Sequence, residues 1–294
     1  MPAAEDAQRF TARLLIDCAD RPGIVAAVSG FLFQRGANIV SSHQYSSDAT
    51  GGRFYQRTEL YLPALAEDGP ERAAFERDFA AAVAEPFAME WEIRYPGRRP
   101  RLAILVSRQD HCLMDLLWRR RRGELDAELV AVLSNHPDVG WEVRAAGVPF
   151  HHVPVAAGAK ARAEQRMLGV LGGQVDLVVL ARYMQVLSGE FLERLGVPAI
   201  NIHHSFLPAF AGAEPYRRAR EHGVKLIGAT AHYVTAELDG GPIIEQDVAR
   251  VDHRYSVADL ERIGRDIERT VLARAVALHL EDRVIADGGR TIVL

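Results

Sequence analysis

Residues 199–210 read AINIHHSFLPAF, and this stretch is the most informative one in the chain. It begins as an apolar, strand-like segment and then delivers Asn201, His203 and His204 before a Ser-Phe-Leu-Pro sequence. Polar side chains at the end of a buried strand are satisfied by hydrogen bonds, or serve a function, or both. Because residues two apart on a strand face the same side, Asn201 and His203 are predicted to point into one cleft. His204 is predicted to face away from it unless the chain has already turned.

Apolar runs on the amino-terminal side of this stretch predict a parallel sheet. The segments LAILVS (102–107), ELVAVLSN (128–135) and VDLVVLARY (175–183) alternate with predicted helices. Continuous apolar runs are typical of parallel strands that are buried on both faces. We therefore predict an α/β class protein with a doubly wound, mostly parallel sheet in residues 102–294. In such a sheet ligands bind beyond the carboxyl ends of the strands, where the asparagine and the first histidine are placed.

The first part of the chain has a different order of predicted strands and helices. Residues 9–95 follow the order strand, helix, strand, strand, helix, strand, and the two middle strands alternate around the turn ATGG at 49–52. This βαββαβ order predicts a ferredoxin-like domain with two helices on one face of an antiparallel sheet. The segment YPGRRPR then breaks the pattern with two prolines, a glycine and charges. We therefore predict that residues 96–101 form a linker between two domains.

Composition excludes several classes of protein. The 294 residues suffice for two domains, and the 48% hydrophobic and 25% charged content is typical of globular proteins. The formal charge of −4 leaves no overall basic surface for nucleic acid or for an anionic membrane. The two cysteines form no metal-binding pattern or disulfide framework, and no run has the length of a membrane span. We therefore expect a cytoplasmic protein with no metal site and no nucleic-acid or membrane partner.

A further polar element follows in the segment ATAHYVTAELDGGPIIEQDV at 229–248. Two β-like runs are joined there by a connection that contains Asp239, Gly240 and Gly241. A carboxylate can accept and donate a proton, and paired glycines let the backbone approach a planar ligand. An amide and an imidazole on the preceding strand can both donate to an oxygen that becomes negative during attack on a carbonyl. Each element alone fits a structural role, the glycine pair an ordinary turn, but their occurrence together favours a catalytic site.

Several separated motifs of the second part resemble those of the folate-dependent formyltransferases, and most of all those of the formyltetrahydrofolate deformylases. They agree in order and spacing, and they are SRQDHCLMDLL, VLSNHPD, GVPFHHVPV, LARYMQVLS, INIHHSFLPAF and GVKLIGATAHYVTAELDGGPIIEQDV. The first part resembles the ACT domain that deformylases carry, with DRPGIVAAVSGFL as its first loop and helix. The resemblance implies an ACT regulatory domain at 9–95 and a formyltransferase-like catalytic domain at 102–294.

The resemblance also implies a reaction, the hydrolysis of 10-formyltetrahydrofolate to formate and tetrahydrofolate. Asn201 and His203 would stabilise the oxyanion, and Asp239 would orient water or relay its proton towards N10. Further substrate contacts are implied for Met184, Gln185, Val186, Leu187, His232, Gly240 and Gly241. The folate is the substrate, so no separate cofactor is expected. Glu214 departs from the deformylase pattern and is expected near the cleft mouth, where it could change the affinity for the folate tail.

Two other activities remain open. The first is formyl transfer to an amine such as glycinamide ribonucleotide. This reaction uses the same catalytic trio of Asn201, His203 and Asp239. Such a transferase needs a Gly-rich loop at a helix N-terminus to hold phosphate. The corresponding segment here, LVSRQDHCLMDLL, lacks glycine and carries Asp110, which favours water as the acceptor. The second alternative is a non-catalytic binding protein that responds to folate or an amino acid, and the complete trio argues against it.

The resemblance to ACT domains implies an amino-acid effector and a homo-oligomer, either a dimer or a tetramer. The candidate effector residues are Asp20 and Gly23 in the first loop and Asn38 at the start of the next strand. Asp20 is also predicted to cap the first helix, with Pro22 in its first turn. The alternative is a domain that only builds the oligomer through its exposed sheet edge. The family belongs to one-carbon metabolism and purine biosynthesis, and the use made of the formate is left open.

Overall fold

The structure is a computed structural model that describes residues 11–207 and 215–294. The chain divides between Arg98 and Arg99 into two compact units, each with its own hydrophobic core. This division falls within the segment 96–101 that was predicted as a linker. Residues 9 and 10, the predicted start of the first domain, lie outside the described residues.

The first unit is a four-stranded antiparallel sheet with the strand order β2-β3-β1-β4. Its strands are β1 (Thr11–Ala19), β2 (Asn38–Ser46), β3 (Arg53–Tyr61) and β4 (Glu90–Arg94). Its helices are α1 (Ile24–Gln34) and α2 (Pro70–Phe79), and α2 continues through the π-helical turn Ala80–Ala84 and a last turn at Glu85–Phe87. The predicted βαββαβ order is confirmed.

Alternation and helical spacing explain this core. Every second residue of β1 is buried, and α1 buries Ile24, Val28, Phe31 and Leu32 at a spacing that places them on one face. The ring of Phe31 packs edge-on against Phe75 of α2, with a centroid distance of 5.3 Å. Aromatic edge contacts of this kind stabilise a core beyond the burial of their area.

The start of α1 differs from the prediction that Asp20 caps it. The N-cap is Gly23 in a left-handed conformation with φ 100°, and it has no side-chain cap. Pro22 therefore precedes the helix and does not lie in its first turn. The Asp20 carboxylate accepts a hydrogen bond from the hydroxyl of Ser46 at the end of β2. Asp20 thus ties the loop to the sheet.

The second unit contains a seven-stranded sheet with the order β11-β10-β9-β8-β5-β6-β7. Its strands are β5 (Arg101–Val106), β6 (Glu128–Ser134), β7 (Phe150–His152), β8 (Leu177–Ala181), β9 (Ala199–His203), β10 (Leu226–Tyr233) and β11 (Ile243–Arg250). Strands β5 to β9 pair in parallel, and β10 and β11 are antiparallel. The predicted doubly wound, mostly parallel sheet is confirmed.

Helices cover both faces of this sheet, which therefore has one core on each side. They are α3 (His111–Arg121), α4 (Gly140–Ala145), α5 (Lys160–Leu171), α6 (Gly189–Leu195), α7 (Pro215–Glu221) and α8 (Val257–Leu280). A separate hairpin is formed by β12 (Val284–Asp287) and β13 (Arg290–Val293). Burial on both sides explains the apolar runs in the sequence, since all five residues of β8 are buried.

The strand order reverses at β5, which pairs with β6 on one side and with β8 on the other. The chain leaves β5 and β8 towards opposite faces of the sheet, and a crevice opens beyond their carboxyl ends. The loops that follow β5, β8 and β9 therefore meet at this edge. Strand β10 runs the other way, and the loop between β10 and β11 folds back towards the end of β9, where Asp239 contacts His203. Within the described ranges, no helix is long and apolar enough to cross a membrane.

Candidate active site

A cavity of about 770 Å³ opens at this edge of the second unit. Its wall includes Asn201 and His203 from β9, His232 from β10 and Asp239 from the loop between β10 and β11. A volume of this size is within the range of pockets that bind small ligands. The structure thus brings together the three residues that were predicted to be catalytic.

The pairing of β9 with β10 sets the geometry of the polar groups. His232 lies opposite Asn201 in this antiparallel pair, and their Nε2 and Nδ2 atoms are 3.2 Å apart. The other ring nitrogen of His232, Nδ1, is 2.9 Å from the carbonyl oxygen of Tyr233. A carbonyl can only accept, so this nitrogen donates, and in a neutral ring Nε2 accepts from the Asn201 amide. The amide keeps a second N–H that is available to a ligand.

The Asp239 carboxylate lies between two histidines. Its Oδ2 atom is 3.2 Å from His203 Nδ1, and its Oδ1 atom is 3.7 Å from His232 Nε2. These contacts, with the hydrogen bond from His203 as the largest cause, lower the pKa of Asp239 well below its ordinary value. The carboxylate is therefore ionised at neutral pH. It accepts from Nδ1 of His203 and fixes a proton on that nitrogen.

The backbone around Asp239 is constrained by a close contact. Asp239 has a left-handed conformation with φ 55°, which aspartate tolerates better than most residues. Two residues later, a Cβ added to Gly241 would lie 1.7 Å from the carbonyl oxygen of Tyr233. Only glycine fits there, and its absence of a side chain lets the loop fold back and present Asp239 to the cavity.

His203 and His204 lie against one another at the end of β9. Their ring centroids are 5.0 Å apart with an interplanar angle of 27°, so the chain has turned after His203 and both rings line the cavity. Burial lowers the pKa of His204 to about 4, and it is neutral at pH 7. His203 has its Nε2 atom buried without a hydrogen-bond partner among residues 11–207 and 215–294.

The predicted folate-binding segment, Met184 to Leu187, also lines the cavity. Its ends are held by buried polar groups that sequence reasoning missed. The Met184 amide donates to Ser107 Oγ at 3.0 Å, and the Ser188 amide donates to Glu164 Oε1 at 2.8 Å. Met184 and Val186 are 56% and 53% exposed, so they present apolar side chains to the open cleft. This is a surface that suits a planar ring.

A group of charged side chains forms another part of the wall. Glu268 on α8 is buried, and its Oε1 atom accepts from the Tyr216 hydroxyl at 2.8 Å. Its Oε2 atom is 2.8 Å from His111 Nε2 and 3.4 Å from Arg182 Nε. Arg182 Nε also donates to Gln109 Oε1 at 2.8 Å. Burial raises the pKa of Glu268, but the hydrogen bond from His111 and the charge of Arg182 outweigh it, and the net pKa is lowered.

Comparison with known proteins places these residues in a family. A family model described as formyl transferase matches residues 100–276, and an ACT domain model matches residues 12–60. The formyltetrahydrofolate deformylase of Mycobacterium tuberculosis (strain ATCC 25618 / H37Rv) is 57% identical over 96% of this chain and 90% of its own length. That of Bacillus subtilis (strain 168) is 50% identical over 98% and 95%. The chain belongs to the formyltetrahydrofolate deformylase family.

Solved structures agree with this assignment. A formyltetrahydrofolate deformylase from Pseudomonas syringae pv. tomato has a TM-score of 0.90 at 45% identity, and covers 97% of this chain and 94% of that one. A glycinamide ribonucleotide transformylase from Symbiobacterium toebii has a TM-score of 0.63 at 36% identity, over 68% of this chain and 96% of that one. The predicted family and the prediction of an enzyme are both confirmed, and the deformylases match both units of the chain.

Some residues predicted for this deformylase family member lie elsewhere. The β10–β11 loop contributes Glu237, Leu238 and Asp239 to the cavity wall, and the structure does not place Gly240 or Gly241 there. Their contact with the folate substrate stays a prediction. Glu214 lies outside the described residues.

The candidate effector residues of the first unit do not form one cluster within the chain. Gly23 and Asn38 lie at opposite ends of α1, whose eleven residues span about 16 Å. Asp20 contacts Ser46, at the far end of β2 from Asn38. An effector site that uses all three therefore needs more than one copy of the chain.

The cluster around Glu268 includes a set of groups that could ligate a metal ion. The ligand atoms of His111, Cys112 and Glu268 lie within 4.8 Å of one another. Glu268 already pairs with Arg182, whose charge opposes a cation. Burial, followed by the charge of Glu268, raises the pKa of the Cys112 thiol well above its ordinary value. A neutral thiol beside a satisfied carboxylate is a poor metal site, and Cys112 packs as the small buried residue that was predicted.

Proposed function

We propose that this protein hydrolyses 10-formyltetrahydrofolate to formate and tetrahydrofolate, with Asn201, His203 and Asp239 as the catalytic residues. The observation that carries the proposal is the contact of 3.2 Å between His203 Nδ1 and Asp239 Oδ2 in a cavity that Asn201 also lines. The names of its relatives, at 43–57% identity over nearly the whole chain, support this substrate.

The folate ring is proposed to bind along the segment from Met184 to Leu187. This segment is apolar at its surface and is anchored at both ends, so it can receive a planar ring without first being ordered. The formyl group on N10 then lies towards β9. His232 is proposed to support Asn201 through their hydrogen bond rather than to contact the reacting atoms.

In the reaction, Asn201 Nδ2 and His203 Nε2 donate to the formyl oxygen. Asp239 holds a proton on Nδ1, so Nε2 donates only when the ring carries both protons. Water adds its oxygen to the formyl carbon, and Asn201 and His203 stabilise the negative oxygen of the tetrahedral intermediate. Asp239 takes part in passing the proton of the water to N10. The bond between carbon and N10 breaks, formate leaves, and tetrahydrofolate remains.

The experiment that tests the proposal measures formate and tetrahydrofolate together. The full-length protein is mixed with 10-formyltetrahydrofolate in buffer without any amine acceptor, and we expect equal amounts of both products. A second reaction contains glycinamide ribonucleotide, and we expect no formylated nucleotide. Product that forms only when the nucleotide is present would show a transferase instead.

The structure bears on the alternative activity, formyl transfer to a nucleotide, through the N-terminus of α3. The loop after β5 would be the place for phosphate, at the N-terminus of α3. Asp110 is the N-cap residue of that helix. The side chain of the first helical residue, His111, already contacts the carboxylate of Glu268. A carboxylate at this position repels phosphate. The structure thus supports water as the acceptor. A protein that only binds ligand would not need the arranged trio.

Removing the anchor of the folate segment should weaken substrate binding. In Ser107→Ala, the Met184 amide loses its acceptor at a partly buried contact, and the hydrogen bond from Ser107 to Asn135 is lost as well. Each lost hydrogen bond costs about 0.5–1.5 kcal/mol, and part of that cost falls on the bound conformation. We expect KM to rise by about tenfold with kcat within a factor of about three. An unchanged KM would show that Ser107 does not position the segment.

The pH dependence of stability should show the lowered pKa of Asp239. A carboxylate whose pKa is lower in the folded state stabilises it above the unfolded pKa of about 4, and this contribution is lost as the pH falls further. We therefore expect the difference in Tm between the wild type and Asp239→Asn to be larger at about pH 5 than at about pH 3. A difference that stays the same between these two pH values would contradict the assigned ionisation.

The remaining expectations stay proposals. The first unit, at 9–95, is proposed to bind an amino-acid effector and to join copies of the chain, with 102–294 as the catalytic domain. Strand β2 supports the second role, since it is an edge strand with Ile39 and Val40 exposed. Sedimentation measurements distinguish a dimer from a tetramer. A cytoplasmic location and the lack of a separate cofactor also remain predictions.

A further inference from the structure

Arg182 is the first residue after β8, and its backbone is strained. It has φ 61°, a left-handed conformation that an arginine seldom adopts, and it is 7% exposed. Its side chain lines the cavity together with His203 and His204. Backbone strain persists only where the surrounding structure enforces it, and it is concentrated at functional sites. We therefore expect the strained residue Arg182 to have a function in the cavity.

The surroundings of Arg182 hold its guanidinium in one place. Nε donates to Gln109 at 2.8 Å and lies 3.4 Å from Glu268. Glu268 is itself fixed by His111 and Tyr216, each at 2.8 Å. Removing one partner from such a buried ionic network is costly, so the guanidinium does not swing away to admit a ligand.

The order of the strands locates this network relative to the proposed reaction. Along the sheet edge, His203 ends β9, Arg182 follows β8 and Gln109 follows β5. Asp239 lies on the β10 side, where it contacts His203 and also His232 of β10. The network therefore lies on the side of His203 that is away from Asp239. Among the described residues, Arg182 Nη1 is buried without a hydrogen-bond partner. Such a nitrogen can donate to the oxygen of a small molecule.

We propose that Arg182 restricts the formyl acceptor to water, an inference that rests on the hydrolysis proposed above. The network fills the β5 side of the cavity, where an acceptor larger than water would have to lie. A water that accepts from Nη1 of Arg182 keeps a lone pair for the formyl carbon and both of its protons for transfer. In an enzyme without this guanidinium, an amine R–NH₂ takes the place of water. Its nitrogen bonds to the formyl carbon, the bond to N10 breaks, and N10 receives the proton that the amine loses.

The test uses the full-length protein, 10-formyltetrahydrofolate and glycinamide as the amine probe. Formate and N-formylglycinamide are quantified in the same reaction, and their ratio is the readout. In the wild type we expect formate as the formyl product. In Arg182→Gly, which relaxes the backbone and removes the guanidinium, we expect the share of N-formylglycinamide to rise at least tenfold. A merely structural role would lower both products together and leave their ratio unchanged.

Two control variants test whether the effect of Arg182→Gly is specific to the guanidinium of Arg182. Arg182→Lys retains a cation at the same strained position, and Arg265→Ala removes an exposed cation from the same cavity wall. Both should keep formate as the formyl product. If Arg182→Gly does not fold, the double variant Arg182→Gly with Glu268→Gln removes the unpaired buried charge and makes the same measurement.

The outcomes separate the two proposals. Wild-type formate release with the same product ratio in the glycine variant overturns the role of Arg182 and leaves hydrolysis standing. The same rise in N-formylglycinamide in Arg265→Ala also overturns it, since any loss of charge would then suffice. A wild type that releases no formate overturns the proposed function, and the inference about Arg182 with it.

Discussion

The change of Asp239 to asparagine is expected to lower kcat for formate release by about 10²–10⁴, the range for loss of a general acid or base. Asparagine has the same shape as aspartate, and its oxygen can still accept the hydrogen bond from His203 Nδ1. It cannot take up a proton, and it removes the negative charge beside His203. The affinity for the folate should change by less than about threefold, because the segment from Met184 to Leu187 is untouched.

The control for this prediction is Glu237→Gln, the same chemical change two residues away in the same loop. Glu237 also lines the cavity, so the variant tests whether loss of any carboxylate there lowers the rate. We expect its kcat to stay within about tenfold of the wild type. Single-turnover formate release and folate binding, measured on both variants, distinguish chemistry from binding. Full activity in Asp239→Asn would remove Asp239 from the proposed mechanism.

The change of Asn201 to aspartate is expected to lower kcat by about 10²–10³, the typical loss when one donor to an oxyanion is removed. The new carboxylate has two acceptor oxygens where the amide had a donor. One of them faces His232 Nε2, and the other faces the oxygen that becomes negative. Since the repulsion grows with the charge on that oxygen, the loss should fall on kcat more than on KM.

Asn135→Asp is the matched control for this variant. Asn135 accepts a hydrogen bond from the Ser107 hydroxyl at 2.7 Å, and an aspartate at this position can accept the same bond. It therefore introduces the same change at an asparagine that is not among the residues lining the cavity. Equal losses in Asn201→Asp and Asn135→Asp would mean that the effect comes from added charge in the unit and not from a lost donor.

Much of the fold could be predicted from local patterns. Strand β8 is buried on both faces, and its sequence LVVLA is continuously apolar for that reason. Strand β1 is buried on one face, and its core residues alternate. Asn201 and His203 could be placed together because a strand repeats every two residues. These features depend on neighbours in sequence, and sequence reasoning captures them well.

Other features depend on residues that are far apart in the chain. Nothing near Arg182 in sequence indicates its pairing with Glu268, which is on α8. One signal was available, since Glu268 lies between Gly264 and Leu272 on the buried face of that helix, and a charge on such a face needs a partner. The prediction that Asp20 caps α1 was wrong for a local reason. Gly23 adopts a conformation that only glycine favours, so the side chain of Asp20 was free to contact β2.

We propose that water attacks the formyl carbon in the cavity of His203 and Asp239. The most direct measurement follows the reaction of 10-formyltetrahydrofolate in ¹⁸O-labelled water, with no amine present and with Asp239→Asn as the control. We expect formate that carries one labelled oxygen, released together with an equal amount of tetrahydrofolate, and prompt release in the wild type only. Formate without label, or equal release by the variant, would contradict it.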